Sequence, residues 1–158
     1  MTAKIFGAAA VTIAAIVLGN GAKKRLFGRA KELSELLDLV TFVESRMETT
    51  LQPLSVIYDE YLKTKKQHPF AKALADGEGA EAATDKLCYQ TAETREVLCR
   101  FFSSAGGGFI DEEKRNVSLL AAFHEEKLKL SSEEAQKKGE LHGSLWLLCG
   151  LMLVIILI

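Results

Sequence analysis

The stretch Leu145-Trp146-Leu147-Leu148-Cys149-Gly150-Leu151-Met152-Leu153-Val154-Ile155-Ile156-Leu157-Ile158 reaches the last residue of the chain without a single charge. A helix packed on a core keeps one polar face for water, whereas a helix apolar all round is suited to lipid. Extended back to Leu141 the run is about 18 residues, roughly 27 Å at the helical rise, against a hydrocarbon core of roughly 30 Å. It predicts a transmembrane helix over 141–158, with Trp146 near the interface where aromatic belts lie.

A second apolar run opens the chain, from Ile5 to Ala22, and predicts a transmembrane helix over 1–22. Gly19-Asn20-Gly21 has the small residues of a signal-peptide cleavage site. The charge is on the wrong side for one, however: only Lys4 precedes the run, while Lys23, Lys24, Arg25, Arg29 and Lys31 follow it. Retention is favoured, and a cleaved signal with a tail anchor is the topological rival. Lys137 and Lys138 border the second run as the earlier basic block borders the first, so the middle region, 23–140, is expected to face the cytoplasm.

Of the 20 Lys and Arg only Lys4 lies outside that middle region, which also holds all 21 Asp and Glu, for a net of about −2. Nothing in that balance suits nucleic acid. Cys88, Cys99 and Cys149 are odd in number, and the last lies in an expected span; a reducing compartment fits better than a disulfide framework.

The middle has only two prolines, Pro53 and Pro69, and few β-branched runs, so it reads as one all-α helical bundle. Leu33, Leu36 or Leu37, Val40, Val43 and Met47 recur at helical spacing and predict an amphipathic helix over 24–50, continuous with the first span. Pro53 is expected in the first turn of the next helix, with Leu54, Ile57, Tyr58 and Tyr61 as its apolar face. A polar connection over 63–69, a short helix from Pro69 and a loop over 76–80 follow. A helix over 85–103, burying Leu87, Cys88, Thr91, Val97 or Leu98, and Phe101 or Phe102, is expected to stop before Gly106, Gly107 and Gly108. Asp111 reads as the N-cap of one last helix running into the second span. Its stripe of Val117, Leu120, Ala121, His124, Leu128 and Ala135 predicts antiparallel packing on the first long helix.

Candidate chemistry is thin. Gly106-Gly107-Gly108 lacks the preceding strand and the following Lys-Ser/Thr of a phosphate-binding loop, and reads as a helix–helix turn. His124-Glu125 opens like a zinc-protease helix, but Leu128 stands where the second His is required. His68, His124 and His142 are scattered, so no metal or cofactor is expected, and Cys88 and Cys99 are expected as small core residues on one helix face. With no convergent polar site, an enzyme is not expected. Glu125, Glu126, Glu133 and Glu134 form a candidate docking surface for a basic partner, against the simpler reading of a solvated face. Gly7, Ala8, Ala9, Ala10, Ala14 and Ala15 would allow close helix approach in a bilayer, to the second span or to other subunits.

The chain resembles the stage III sporulation protein AB family of endospore-forming bacteria. The resemblance rests on the N-terminal apolar run with its basic exit, Glu44-Ser45-Arg46-Met47 followed by Pro53-Leu54, Phe101-Phe102 with Gly106, and Gly143-Ser144-Leu145 with Gly150 and the Ile/Leu-rich tail. It implies a non-enzymatic mother-cell membrane protein of the channel complex between mother cell and forespore. It further implies a cytoplasmic domain similar to platform proteins of type II secretion and type IV pilus machines. A cytoplasmic secretion-type ATPase and other channel membrane subunits are the implied partners, and homo-oligomerisation is left open. The competing class is a two-span signalling or scaffold protein unrelated to sporulation.

Overall fold

A computed structural model describes residues 2–50, 52–65, 67–105 and 110–157, without the side chains of some residues near the two ends of the chain. The described chain is all helical: α1 Thr2–Thr49, α2 Leu54–Thr64, α3 Pro69–Ala75, α4 Ala80–Asp85, α5 Ala92–Ser104 and α6 Ile110–Leu157. It forms two compact units, Met1–Ala30 with Lys129–Ile158, and Lys31–Leu128. The segments 23–30 and 129–140 therefore belong with the terminal helices rather than with the bundle.

The terminal unit is a pair of helix segments. A Cβ built on Gly150 would lie 3.0 Å from the Ala15 Cβ, and one on Gly139 would lie 3.0 Å from the Phe27 ring. Arg29 pairs with Glu134 at 4.0 Å. As α1 advances from Ala15 to Arg29 its neighbours on α6 retreat from Gly150 to Glu134, so the segments are antiparallel. Small residues at the contact let the backbones approach closely.

Among the described residues no helix is long and apolar enough to cross a membrane. The spans expected at 1–22 and 141–158 are therefore not supported among the described residues. Trp146, His142, Ala8 and Ala9 lie outside the described side chains.

In the bundle, Leu33, Leu36, Leu39, Val40 and Val43 of α1 are buried to 2 % exposure or less. Leu36, Leu39, Val40 and Val43 meet Ile57 and Tyr58 of α2, Phe70 of α3, Leu98 of α5 and Val117 and Leu120 of α6 in one apolar cluster. Each such side chain contributes about 1.5–3 kcal/mol on burial, which sets the order of the helices around it. α2 packs on α3, α3 on α4, and α4 on α5.

Several boundaries differ from expectation for local reasons. Pro53 is the N-cap of α2 rather than part of its first turn, with its carbonyl accepting from Val56 and Ile57. Between α3 and α4, Gly77 adopts φ +73°, Gly77 N–H donates to Leu74 and Glu78 N–H to Ala73, the αL stop that glycine permits at least cost. The helix expected over 85–103 begins only at Ala92. Residues 86–91 form a turn instead, and α4, which was not expected, precedes it. Cys88 consequently lies exposed on that turn and Cys99 is half-buried on α5, so neither is the core residue expected. Asp111 falls inside the first turn of α6, one residue after its start, beside Glu112 and Glu113. Gly106, Gly107 and Gly108 lie outside the described residues.

Candidate functional site

Three faces carry the features a partner or a membrane would meet, and each is best seen from its own residues. In the terminal unit the apolar side chains point outward: Ile13, Ile16, Val17 and Leu18 on α1, and Leu141, Leu145, Leu148, Met152 and Ile155 on α6, are 48–70 % exposed. Lys23, Lys24 and Arg25 are exposed on α1, and Lys137 and Lys138 on α6. Lys137 pairs with Glu133 at 3.6 Å and Lys138 with Glu134 at 2.7 Å. The Lys138 hydrogen bond and charge hold the Glu134 carboxyl below its ordinary range. Arg29 reaches the same carboxylate. Glu133 and Glu134 are therefore occupied by basic residues of their own unit. Glu125 and Glu126 belong to the bundle, are exposed, and form no ion pair among the described residues.

The second face is a seam of polar contacts that fixes the 86–91 turn and α3 to α1. Glu32 accepts the backbone N–H of Cys88 at 2.8 Å and of Tyr89 at 2.9 Å, and the Gln90 side-chain N–H at 3.3 Å. Those backbone donors would point back along the chain if 85–91 were helical, so the carboxylate explains why it is not. The Arg95 guanidinium ties the same turn by donating to the Leu87 carbonyl. Thr91 starts α5 afresh, its hydroxyl accepting from Thr94 N–H at 3.3 Å, the usual N-cap arrangement.

One turn further along α1, the Glu35 carbonyl faces His68. The His68 Nδ1 accepts from Ala71 N–H at 3.1 Å and caps α3, so the proton of the neutral ring sits on Nε2, which donates to Glu35 O at 3.2 Å. Burial pushes the His68 pKa below its ordinary value. The Tyr61 hydroxyl lies 3.5 Å from the same carbonyl, and burial followed by the charges of Asp38 and Glu35 raises it to about 12. Asp38 pairs with Lys65, and Arg46 with Glu60 at 3.3 Å, which completes a row of bonds from α1 to the segment after it.

His124, fully buried on α6, donates from Nδ1 to the Leu120 carbonyl at 2.9 Å, leaving Nε2 with no partner among the described residues. Desolvation lowers its pKa. Among the described residues no group of His, Cys, Asp and Glu is gathered to hold a metal ion.

The third face is a groove of about 470 Å³ between α5 and α6, with Val97, Phe101, Leu119, Leu120 and Phe123 as its apolar lining. Leu119 in that lining is 61 % exposed. The groove is not legible in the sequence, because the periodicity leaves Val97 or Leu98 and Phe101 or Phe102 open as the inward residues of α5, and which face meets α6 depends on packing. Sequence reasoning also missed Glu32 and His68 as anchors because their partners are backbone groups remote in the chain, and no residue pattern encodes those.

A family model described as stage III sporulation protein AB matches residues 4–158. The chain belongs to the stage III sporulation protein AB family. Membership gives it a sporulation-related role and sets aside the reading of a protein unrelated to sporulation. No curated relative and no solved structure matched the chain.

Proposed function

We propose that this member of the stage III sporulation protein AB family is a non-enzymatic membrane platform of the channel between mother cell and forespore. Helices at 1–22 and 141–158 hold it in the mother-cell membrane, and the bundle receives a cytoplasmic secretion-type ATPase and other channel subunits. The observation that carries this reading is the terminal unit's outward apolar surface, bordered on both helices by exposed lysines and Arg25. Water penalises that much exposed Leu, Ile, Val and Met, whereas lipid does not, and basic residues at the edge of an apolar run favour the cytoplasmic side. An apolar face this large is equally a surface for neighbouring subunits in a bilayer.

The test has two arms. Alkaline phosphatase fused to either terminus is expected to be active, and fused after residue 100 inactive, with the chain resisting carbonate extraction. A chain released by carbonate overturns the membrane assignment. Full-length protein in nanodiscs is then mixed with the purified ATPase encoded beside it. A stable complex supports the platform reading, and its absence with both partners folded overturns it.

A further inference from the structure

We infer that Lys23, Lys24 and Arg25 of α1 bind the phosphate headgroups of anionic phospholipids and give this protein a preference for acidic membrane. The inference rests on the membrane reading above and deepens it by naming the class of lipid beside the terminal unit.

Charge is divided unevenly between the two units. Met1–Ala30 with Lys129–Ile158 holds eight Lys and Arg against three Glu, a net of +5, whereas Lys31–Leu128 holds 12 against 18 Asp and Glu, a net of −6. One of the three glutamates, Glu140, lies outside the described side chains. The unit with the outward apolar faces is therefore the basic one, although the chain as a whole is nearly neutral. All but Lys4 of its cations lie within 23–29 or 129–138, between the apolar runs and the bundle. A cluster of about 4–8 Lys and Arg next to a membrane segment is what recognition of acidic lipid requires.

Ion pairing narrows which of these cations a headgroup can use. On α6, Lys137 is tied to Glu133 and Lys138 to Glu134, each one turn back, and Arg29 of α1 reaches the same Glu134. Lys23, Lys24 and Arg25 are exposed and form no ion pair among the described residues, and α1 carries no acidic residue before Glu32. Lys23 is also held in place. Its ammonium lies 5.8 Å from the centre of the Phe27 ring, and a Cβ built on Gly139 would stand 3.9 Å from its Cγ, so its stem packs along α6 while its charge stays at the rim.

The spacing along α1 suits one lipid molecule. Val17 and Leu18 are exposed, and Lys24 and Arg25 follow seven residues later, two helical turns or about 10 Å along the same faces. Each face thus offers apolar contact to an acyl chain and, beyond it, a cation to the phosphate that ends the chain, with the long side chains spanning the remaining distance. Nucleic acid or an acidic protein could meet the cations, but neither would also cover Val17 and Leu18 with hydrocarbon.

The test inserts the full-length chain into vesicles whose phosphatidylcholine or phosphatidylglycerol carries brominated acyl chains, so that the chain's single tryptophan is quenched by the lipid beside it. Across mixtures of the two, wild type is expected to favour phosphatidylglycerol roughly fivefold, the worth of one cation near an anionic surface. Lys24→Gln with Arg25→Gln is expected to remove most of that preference. Glu133→Gln with Lys137→Gln deletes a neutral pair from the same unit and is expected to leave it unchanged. The substituted positions are exposed, and an unchanged Tm shows that the fold is intact. Equal quenching of wild type by the two lipids overturns the proposal and leaves the membrane reading standing. So does an equal loss of preference in the two double variants, which would make the effect one of the unit's overall polarity. Loss of the preference on adding millimolar inorganic phosphate at constant ionic strength would assign the cations to a soluble anion, and also overturns it. A chain that enters neither kind of vesicle defeats the membrane reading and this proposal together.

Discussion

The carboxylate of Glu32 accepts the backbone N–H of Cys88 at 2.8 Å, a bond between α1 and the turn before α5 that spans 56 residues of chain. With Tyr89 N–H and the Gln90 amide on the same group, this one side chain interrupts a helix that local pattern would have continued. Glu32→Gln keeps the shape, removes the charge, and turns an amide N–H₂ toward a backbone donor. The expected cost is about 1.5–3 kcal/mol, as for hydrogen bonds to a charged group. Thermal unfolding of the full chain in detergent, with backbone amide exchange at Cys88 and Tyr89, measures it; an unchanged Tm with protected amides would remove Glu32 from this role.

His68 and His124 are both held neutral by burial, their folded pKa values below the unfolded 6.5. The unfolded chain therefore binds more protons than the folded chain as pH falls through 6.5. Stability from these two sites is fully present above that value and declines toward the lower folded pKa values. Tm is expected to fall between pH 7.5 and pH 5, and His124→Leu to flatten part of the slope. A Tm constant across that window would contradict the burial of both rings as neutral groups.

The same substitution tests the unpartnered Nε2. The Leu120 carbonyl keeps its helical N–H when the imidazole is removed, so leucine eliminates a buried acceptor without creating another. His124→Leu is expected to raise stability at pH 7.5 by about 1 kcal/mol. Destabilisation in denaturant titration would mean that Nε2 has a partner in the folded protein.

Gly150 and Ala15 approach so closely that a Cβ on the glycine would stand 3.0 Å from the alanine's. In a chain lacking Cys88, Cys99 and Cys149, the pair Ala15→Cys with Gly150→Cys is expected to form an intramolecular disulfide under mild oxidation, after a shift of about half an ångström. Gly139→Leu, which drives a side chain into the Phe27 ring, is expected to slow that reaction several-fold. Cross-linking only between chains would assign the contact to an oligomer instead.

Much of this architecture is written in local chemistry. Leu33, Leu36, Val40, Val43 and Met47 repeat at helical spacing with no proline before Pro53, so a long α1 follows from the sequence alone. The same holds for α6, where the stripe Val117, Leu120, His124 and Ala135 is buried as its periodicity requires. Pro69 marks the start of α3, and family membership was legible in the order of sparse motifs along nearly the whole chain.

What the sequence could not decide is where long-range bonds overrule local preference. Residues 86–91 carry no strong helix breaker, and it is the Glu32 carboxylate, far away in the chain, with Arg95 on the Leu87 carbonyl, that holds them in a turn. Val97 and Phe101 of α5 share a groove with Leu119 and Phe123 of α6, a juxtaposition that depends on packing between helices and not on local pattern. The sequence determined that α1 and α6 are long helices and which of their bundle faces are apolar, because both depend on neighbours within a few residues. Tertiary structure decided where α5 starts, which acids are already paired and which remain free, because those outcomes depend on groups that only folding brings together.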